Sequence, residues 1–441
     1  MTSVFEIIGP VMVGPSSSHT AGMARIGTAA NKLFGKIPEK ICLTFSPGMK
    51  NTYKGHKSDA AVIGGILGFG EASPQLKNAI EEARNLNIEI KIDFFDDSCP
   101  PNTVLIELES QNEFFSLEGV SVGGGSIVIN KINGDNSDYV PELFYGTTVC
   151  ENMNISRIDD VVDLCEKSKI SLAEFAIQYE KSRSGFDEEK IRAIMQMQLE
   201  VMKKSVKTGI VGNNQMLYGL TGGKDAKKIL DIKDTICGGN IPKAVSYAIA
   251  VMEHNASMGC IVAAPTAGSA GIIPGCLLAL QEKCGFSDVQ LCDALFSAAI
   301  FGVVMAHRKV SFSGSVGGCQ GEIGVSSAIA AVAITSLFTK NVKTAAHAMA
   351  MCMKNLLGLV CDPIAGPIEV PCIKRNAIGV ANAFISAEMA NAGIESYIPP
   401  DEVIDALIDV QNRMPKELKC TVCGGLACTD SAKALRAKLG Q

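Results

Sequence analysis

Three cysteines stand where a thiol could be offered to an inorganic site. Cys319 closes a serine- and glycine-rich run, Ser313-Gly-Ser-Val-Gly-Gly-Cys, and is followed by Gln-Gly-Glu. Cys361 and Cys372 bracket Asp-Pro-Ile-Ala-Gly-Pro-Ile-Glu-Val-Pro, a segment too rich in proline and glycine to be a helix interior. Irregular backbone of this kind leaves peptide N–H groups free to point at sulfur or at an anion. Three thiolates with no adjacent fourth ligand suit an iron–sulfur cluster that keeps one iron open to substrate, because a closed structural site normally completes four protein ligands. The plainer alternative is three buried small hydrophobes, since the chain has 16 cysteines and cysteine is often buried.

Five histidines occur, and two have settings that suggest chemistry. His19 lies in Gly14-Pro-Ser-Ser-Ser-His-Thr-Ala-Gly, where a proline turn delivers Ser16, Ser17, Ser18, His19 and Thr20 to an expected helix N-terminus, a place suited to a carboxylate. His56, in Lys54-Gly-His-Lys-Ser-Asp, also precedes an expected helix and is flanked by cations. Each could equally be a capping or surface residue; His254 and His347, within apolar helices, read as satisfied core histidines. A serine nucleophile is disfavoured, because neighbouring residues do not face each other in triad geometry and no G-x-S-x-G elbow is present. Cys420, Cys423 and Cys428 form a weaker ligand set without a partner pair, and read as tail thiols near Gly424 and Gly425. The glycine-rich loops could cradle the phosphate of pyridoxal phosphate, but no lysine stands in a setting that suggests a Schiff base.

These residues need two kinds of scaffold. At 441 residues the chain exceeds one ordinary core. Strand-like runs at 41–46, 88–95, 104–110 and 126–132 alternate with helical stretches at 21–34 and 58–69, which predicts a small α/β domain over 1–140. Polar residues 141–155 read as a linker. From 156 to 441 the period is helical: Ser171 and Glu174 form a capping box, 187–206 is amphipathic, and a further helix is expected near 401–414. Ala-rich segments at 243–258, 271–283, 288–307, 323–338, 344–359 and 376–392 are apolar on most faces and predict a larger all-helical domain.

Bulk properties narrow the partners. Charged residues are 20% against 47% hydrophobic, as expected for a globular enzyme, and a net charge of −6 provides no basic field for nucleic acid. The N-terminus has no basic region ahead of an apolar stretch, and the apolar run between Glu322 and Lys340 is short and rich in alanine and serine. Neither a signal peptide nor a membrane span is expected, so the cysteines are placed in a reducing cytoplasm as free thiols or metal ligands.

Four motifs in order, Gly14-Pro-Ser-Ser-Ser-His-Thr-Ala-Gly, Pro265-Thr-Ala-Gly-Ser-Ala-Gly-Ile-Ile-Pro, Gly318-Cys-Gln-Gly-Glu-Ile-Gly and Cys361-Asp-Pro-Ile-Ala-Gly, resemble the iron–sulfur-dependent bacterial L-serine dehydratases. The spacings within the cysteine trio, 42 residues from 319 to 361 and 11 from 361 to 372, are also similar. The resemblance covers nearly the whole chain, with 1–140 similar to the family's β part and 156–441 to its α part. It implies a 4Fe-4S cluster on Cys319, Cys361 and Cys372, L-serine as substrate, pyruvate and ammonia as products, and a homodimer. It further implies an all-helical α part and a β part similar to a regulatory domain of some phosphoglycerate dehydrogenases.

Within that expectation His56 is the first candidate for the base and His19 the second. Ser16, Ser17, Ser18 and Thr20, with Thr266 and Ser269 of the second motif, are candidates to hold the substrate. Two departures stand out: the chain has Pro100-Pro-Asn-Thr where many members carry His-Pro-Asn, and it does not end in the cysteine that enters the active site of some single-chain members. Three other readings stay open: a cluster enzyme acting on another β-substituted amino acid, such as a cysteine desulfidase; a pyridoxal-phosphate lyase; and a non-catalytic amino-acid sensor.

Overall fold

The structure is a computed structural model that describes residues 2–50, 52–96, 99–111, 113–139, 155–212, 214–364 and 369–439. Its α/β part is built on a six-stranded sheet of β2 (Lys40–Phe45), β3 (Glu89–Phe94), β4 (Thr103–Ser110), β5 (Glu113–Gly123), β6 (Ser126–Ile132) and β7 (Asp135–Asn136), in the order β3-β2-β4-β5-β6-β7. Along β2, Ile41, Leu43 and Phe45 are buried while Lys40, Cys42 and Thr44 are partly exposed, the period-2 signature of a strand covered on one face. That face packs on Met23, Ile26 and Ala30 of the helix Gly22–Phe34 and on Val62, Ile63 and Ile66 of the helix Ser58–Ile66. Each such aliphatic side chain contributes roughly 1.5–3 kcal/mol of burial. β2 and β3 run parallel and therefore need a crossover, which the helices Ser58–Ile66 and Ala79–Asn85 supply; the other neighbours are antiparallel. β5 was not anticipated from the sequence: its alternation is interrupted by shifts of register at Glu118/Gly119 and Ser121/Gly123.

The helical part is arranged around Val325–Phe338, whose residues from Val325 to Thr335 are all buried. The helices Ile272–Cys284, Asp288–His307, Val342–Lys354 and Cys372–Asn391 surround it. Two helical stretches, Asp288–His307 and Gln320–Phe338, are long and apolar enough to cross a membrane; 78% of each apolar window is buried inside the fold. The capping box at Ser171 is present, with Ser171 Oγ accepting from Glu174 N and Glu174 reaching back to the Ser171 N–H.

Two features differ from the expected division. Among the described residues, the helical part contains one short strand, β8 (Cys260–Val262), which pairs antiparallel with β1 (Val11–Val13). The first residues, expected in the α/β part, pack in the helical core instead: Val4, Phe5, Ile7, Ile8 and Met12 are fully buried there. Physically, Ser3 Oγ and Val4 N each donate to Glu180 at 3.0 Å, and Phe5 meets the Phe296 ring edge-on at 6.3 Å. The chain thus starts in one part and enters the other through the turn at Pro15–Thr20, which leaves the serine/histidine motif on the boundary. Of the expected linker 141–155, all but the last residue lies outside the described residues.

Candidate functional site

Two helix beginnings and a returning tail bring the cysteines together. Cys319 immediately precedes a single π turn, Gln320–Gly324, that leads into Val325–Phe338, and Cys372 is the first residue of Cys372–Asn391. Cys361 is fixed by the chain's tail: its N–H donates to Leu418 O at 2.9 Å and its carbonyl accepts from Cys420 N at 2.7 Å. All three thiols are buried, at 2%, 3% and 9% exposure, and all line one cavity. Donor atoms of Cys319, Cys361 and Glu322 lie within 4.8 Å of one another.

The electrostatics hold the thiols protonated until a metal shares their charge. The thiol of Cys361 is raised well above the ordinary range by hydrogen bonding to Cys319 and Cys420, and that of Cys372 by burial and then by Cys319. Sulfurs crowded in this way do not ionise together unless a metal shares the charge. Helix N-termini and the Arg375 guanidinium, whose Nη1 lies 3.5 Å from Cys319 Sγ, favour negative charge there. Space is kept as well, because a Cβ on Gly314 would stand 2.9 Å from Cys361 Sγ and 2.6 Å from Glu322 Oε2. Soft, clustered, buried sulfur donors fit a metal centre.

The α/β part contributes the other wall. Pro15, Ser16, Ser18, His19 and His56 line the same cavity as the cysteines. The two imidazoles are stacked, 4.4 Å between centroids and 20° apart in plane. His56 Nδ1 lies 3.0 Å from the Thr52 carbonyl, which can only accept, so that nitrogen carries the proton and Nε2 keeps a free lone pair. Burial lowers the His56 ring to about 4 and, with the neighbouring His56, also pushes His19 well down, so both are neutral at pH 7. His19 Nδ1 lies 3.3 Å from both Ser16 Oγ and Ser18 Oγ.

The remaining expected substrate contacts are elsewhere. Ser17 is buried and does not line the cavity. Thr20 Oγ1 donates to the His56 carbonyl at 2.7 Å, joining the two histidine turns. Thr266 Oγ1 donates to Glu322 Oε1 at 2.9 Å, and Ser269 Oγ donates to Ala264 O at 3.1 Å. Each of these three hydroxyls donates its proton within the protein. His254 and His347 do not line the cavity; both are half-buried rather than core residues, and His347 Nδ1 accepts from Ser396 N at 3.2 Å.

Sequence reasoning missed Glu322, Ser313 and Ser315, all at the cavity wall. Burial pushes the Glu322 carboxyl up to about 7 despite the Thr266 hydrogen bond. Its signal was a carboxylate three residues after Cys319, one turn away. A correction concerns the tail: Cys420 lines the cavity beside Cys361, whereas Cys423 and Cys428 are exposed. The trio therefore does have a fourth thiol nearby, brought in by long-range pairing of the tail rather than by local spacing.

Residues 167–427 match the family described as serine dehydratase alpha chain. The chain belongs to that family. It is 43% identical over 285 residues to a "Probable L-serine dehydratase, alpha chain" of Bacillus subtilis (strain 168), covering 64% of this chain and 94% of that one. A "Probable L-serine dehydratase, beta chain" of the same organism is 48% identical over 136 residues, 30% of this chain and 60% of its own. The "L-serine dehydratase 2" of Escherichia coli (strain K12) is 28% identical over 465 residues, covering 97% of this chain and 98% of that one. Similarity to a single-chain relative over almost its whole length agrees with the two-part fold.

Proposed function

We propose that the protein is a cytoplasmic L-serine dehydratase, a lyase that converts L-serine to pyruvate and ammonia. In this reading a 4Fe-4S cluster is held by Cys319, Cys361 and Cys372, and the chain works as a homodimer. The observation that carries it is the single cavity lined by these three cysteines from the helical part and by His19 and His56 from the α/β part. None of the described residues lining that cavity is a lysine, which argues against a Schiff-base mechanism.

Held by Cys319, Cys361 and Cys372, the cluster would supply Lewis acidity toward the β-hydroxyl of the substrate. The chain's own residues do the rest. The proton on His56 Nδ1 is committed to Thr52 O, so Nε2 accepts the α-proton of serine. Its neutral state at pH 7 makes it ready to do so. Ser16 and Ser18 orient the carboxylate or amino group from the turn they share with His19. Glu322, at the cavity wall with its carboxyl pushed up to about 7 by burial, gives a proton to the departing hydroxide. Loss of the α-proton and of the β-hydroxyl as water leaves aminoacrylate, which tautomerises and hydrolyses to pyruvate and ammonia.

The test is anaerobic purification with iron and sulfide analysis, followed by assay of pyruvate from L-serine, D-serine and L-cysteine. Preferred turnover of L-serine by the iron-loaded protein supports the reading; release of sulfide from L-cysteine as the main reaction would replace it.

A further inference from the structure

The stretch 214–224, between the helices Glu188–Val211 and Asp225–Leu230, holds none of the candidate catalytic, substrate-binding or metal-ligating residues. Its backbone is gathered onto one carboxylate. Glu369, 2% exposed, accepts from the N–H groups of Tyr218 at 2.7 Å, Leu220 at 2.7 Å and Thr221 at 3.3 Å. Bonds of this kind, from several amides to one buried carboxylate, are among the stronger ones in proteins. Glu369 itself stands between Cys361 and Cys372, three residues before the latter.

From that anchor the Tyr218 side chain crosses to the α/β part, where its phenol donates to the Lys54 carbonyl at 2.7 Å. Lys54 is two residues before His56 and also receives the Lys57 N–H at 3.1 Å, which closes the turn around His56. Burial, with Asp59 and Glu369 nearby, raises the phenol to about 12, so it is a donor throughout the working range. Glu369, Tyr218 and Lys54 thus form a hydrogen-bonded strap from the cysteine-bearing segment to the turn carrying the candidate base.

We propose that Tyr218 is a positioning residue for His56, setting the imidazole against the metal centre through the Lys54 carbonyl. Tyr218 does not line the cavity, so it acts through the turn and not on substrate. Displacement of a reacting group by about 1 Å can cost up to roughly 10²-fold in rate. The inference rests on the assignment of His56 as base.

The experiment is a double-mutant cycle with Tyr218→Phe and His56→Asn in the iron-loaded, full-length protein. Tyr218→Phe keeps the ring and the amide bonds to Glu369 and removes the phenol. Alone, it should lower kcat about tenfold, with KM for L-serine within about twofold and iron per chain unchanged. In the His56→Asn background it should cost nothing further, because the group it positions is gone. Glu369→Gln, which weakens the anchor from the other end, should show the same pattern. Tyr218→Phe with kcat within about twofold of the parent, or with an equal loss in both backgrounds, overturns the positioning role. If His56→Asn itself leaves turnover within a few-fold, the base assignment fails and takes this inference with it.

Discussion

The chemistry proposed for His56 depends on one hydrogen bond and on burial. Replacing His56 with Asn should lower kcat/KM by about 10²–10⁴-fold while iron per chain stays at the parental level. Turnover within a few-fold of the parent would exclude it as base. Because the chain has only five histidines, their ring protonation can be followed one by one by NMR. The His56 midpoint should be near 4, against the usual 6.5, and that of His19 should also be depressed; a midpoint near 6.5 for His56 would contradict its burial. The sign for stability follows. Between about pH 6.5 and 4 the unfolded chain binds a proton at His56 that the native one refuses, so stability is full above that window. It falls on acidification through the window, by up to about 1.4 kcal/mol per pH unit for this group.

At the scale of elements, the site is made by where helices begin and by a tail that returns. Cys319 and Cys372 stood out in the sequence because they sit at local breaks in helical pattern, which glycine and proline announce. Cys420 was not legible as a neighbour of Cys361, since the pairing of Cys361 with Lys419 joins segments far apart in the chain. The same limit hid the strap through Tyr218, which has no motif of its own. The Thr20, Thr266 and Ser269 hydroxyls, read from the sequence as candidates to hold the substrate, donate to the His56 carbonyl, to Glu322 and to the Ala264 carbonyl. Two variants separate frame from ligand. Gly314→Ala places a methyl against Cys361 Sγ and Glu322, and should reduce the iron and visible absorbance recovered after anaerobic reconstitution; full loading would contradict the close approach seen there. Cys420→Ser should keep its iron, whereas Cys361→Ser should lose it; loss of iron in Cys420→Ser would make the tail thiol a ligand.

For the molecule as a whole, the two-part fold was readable from the change of hydrophobic period, and most helix limits fell within a few residues. The exchange at the N-terminus was not, because a four-residue helix and a three-residue strand carry too little periodicity to say which core will bury them. That exchange has a consequence for assembly. A chain divided between residues 139 and 155 should give two fragments that copurify, since Val4, Phe5, Ile7 and Ile8 belong to the core of the other fragment. Phe5→Ala in the divided protein should weaken the association by about 3–5 kcal/mol, the usual cost of removing a buried phenylalanine. Fragments that separate freely on a sizing column would contradict the shared core.

The most direct test of the account is the iron and acid-labile sulfide content of anaerobically purified protein, read against its rate of pyruvate formation from L-serine as air is admitted. The account predicts about four of each per chain, a visible absorption band, and activity that declines in step with the colour. Colourless, iron-free protein that deaminates L-serine at an undiminished rate would contradict it.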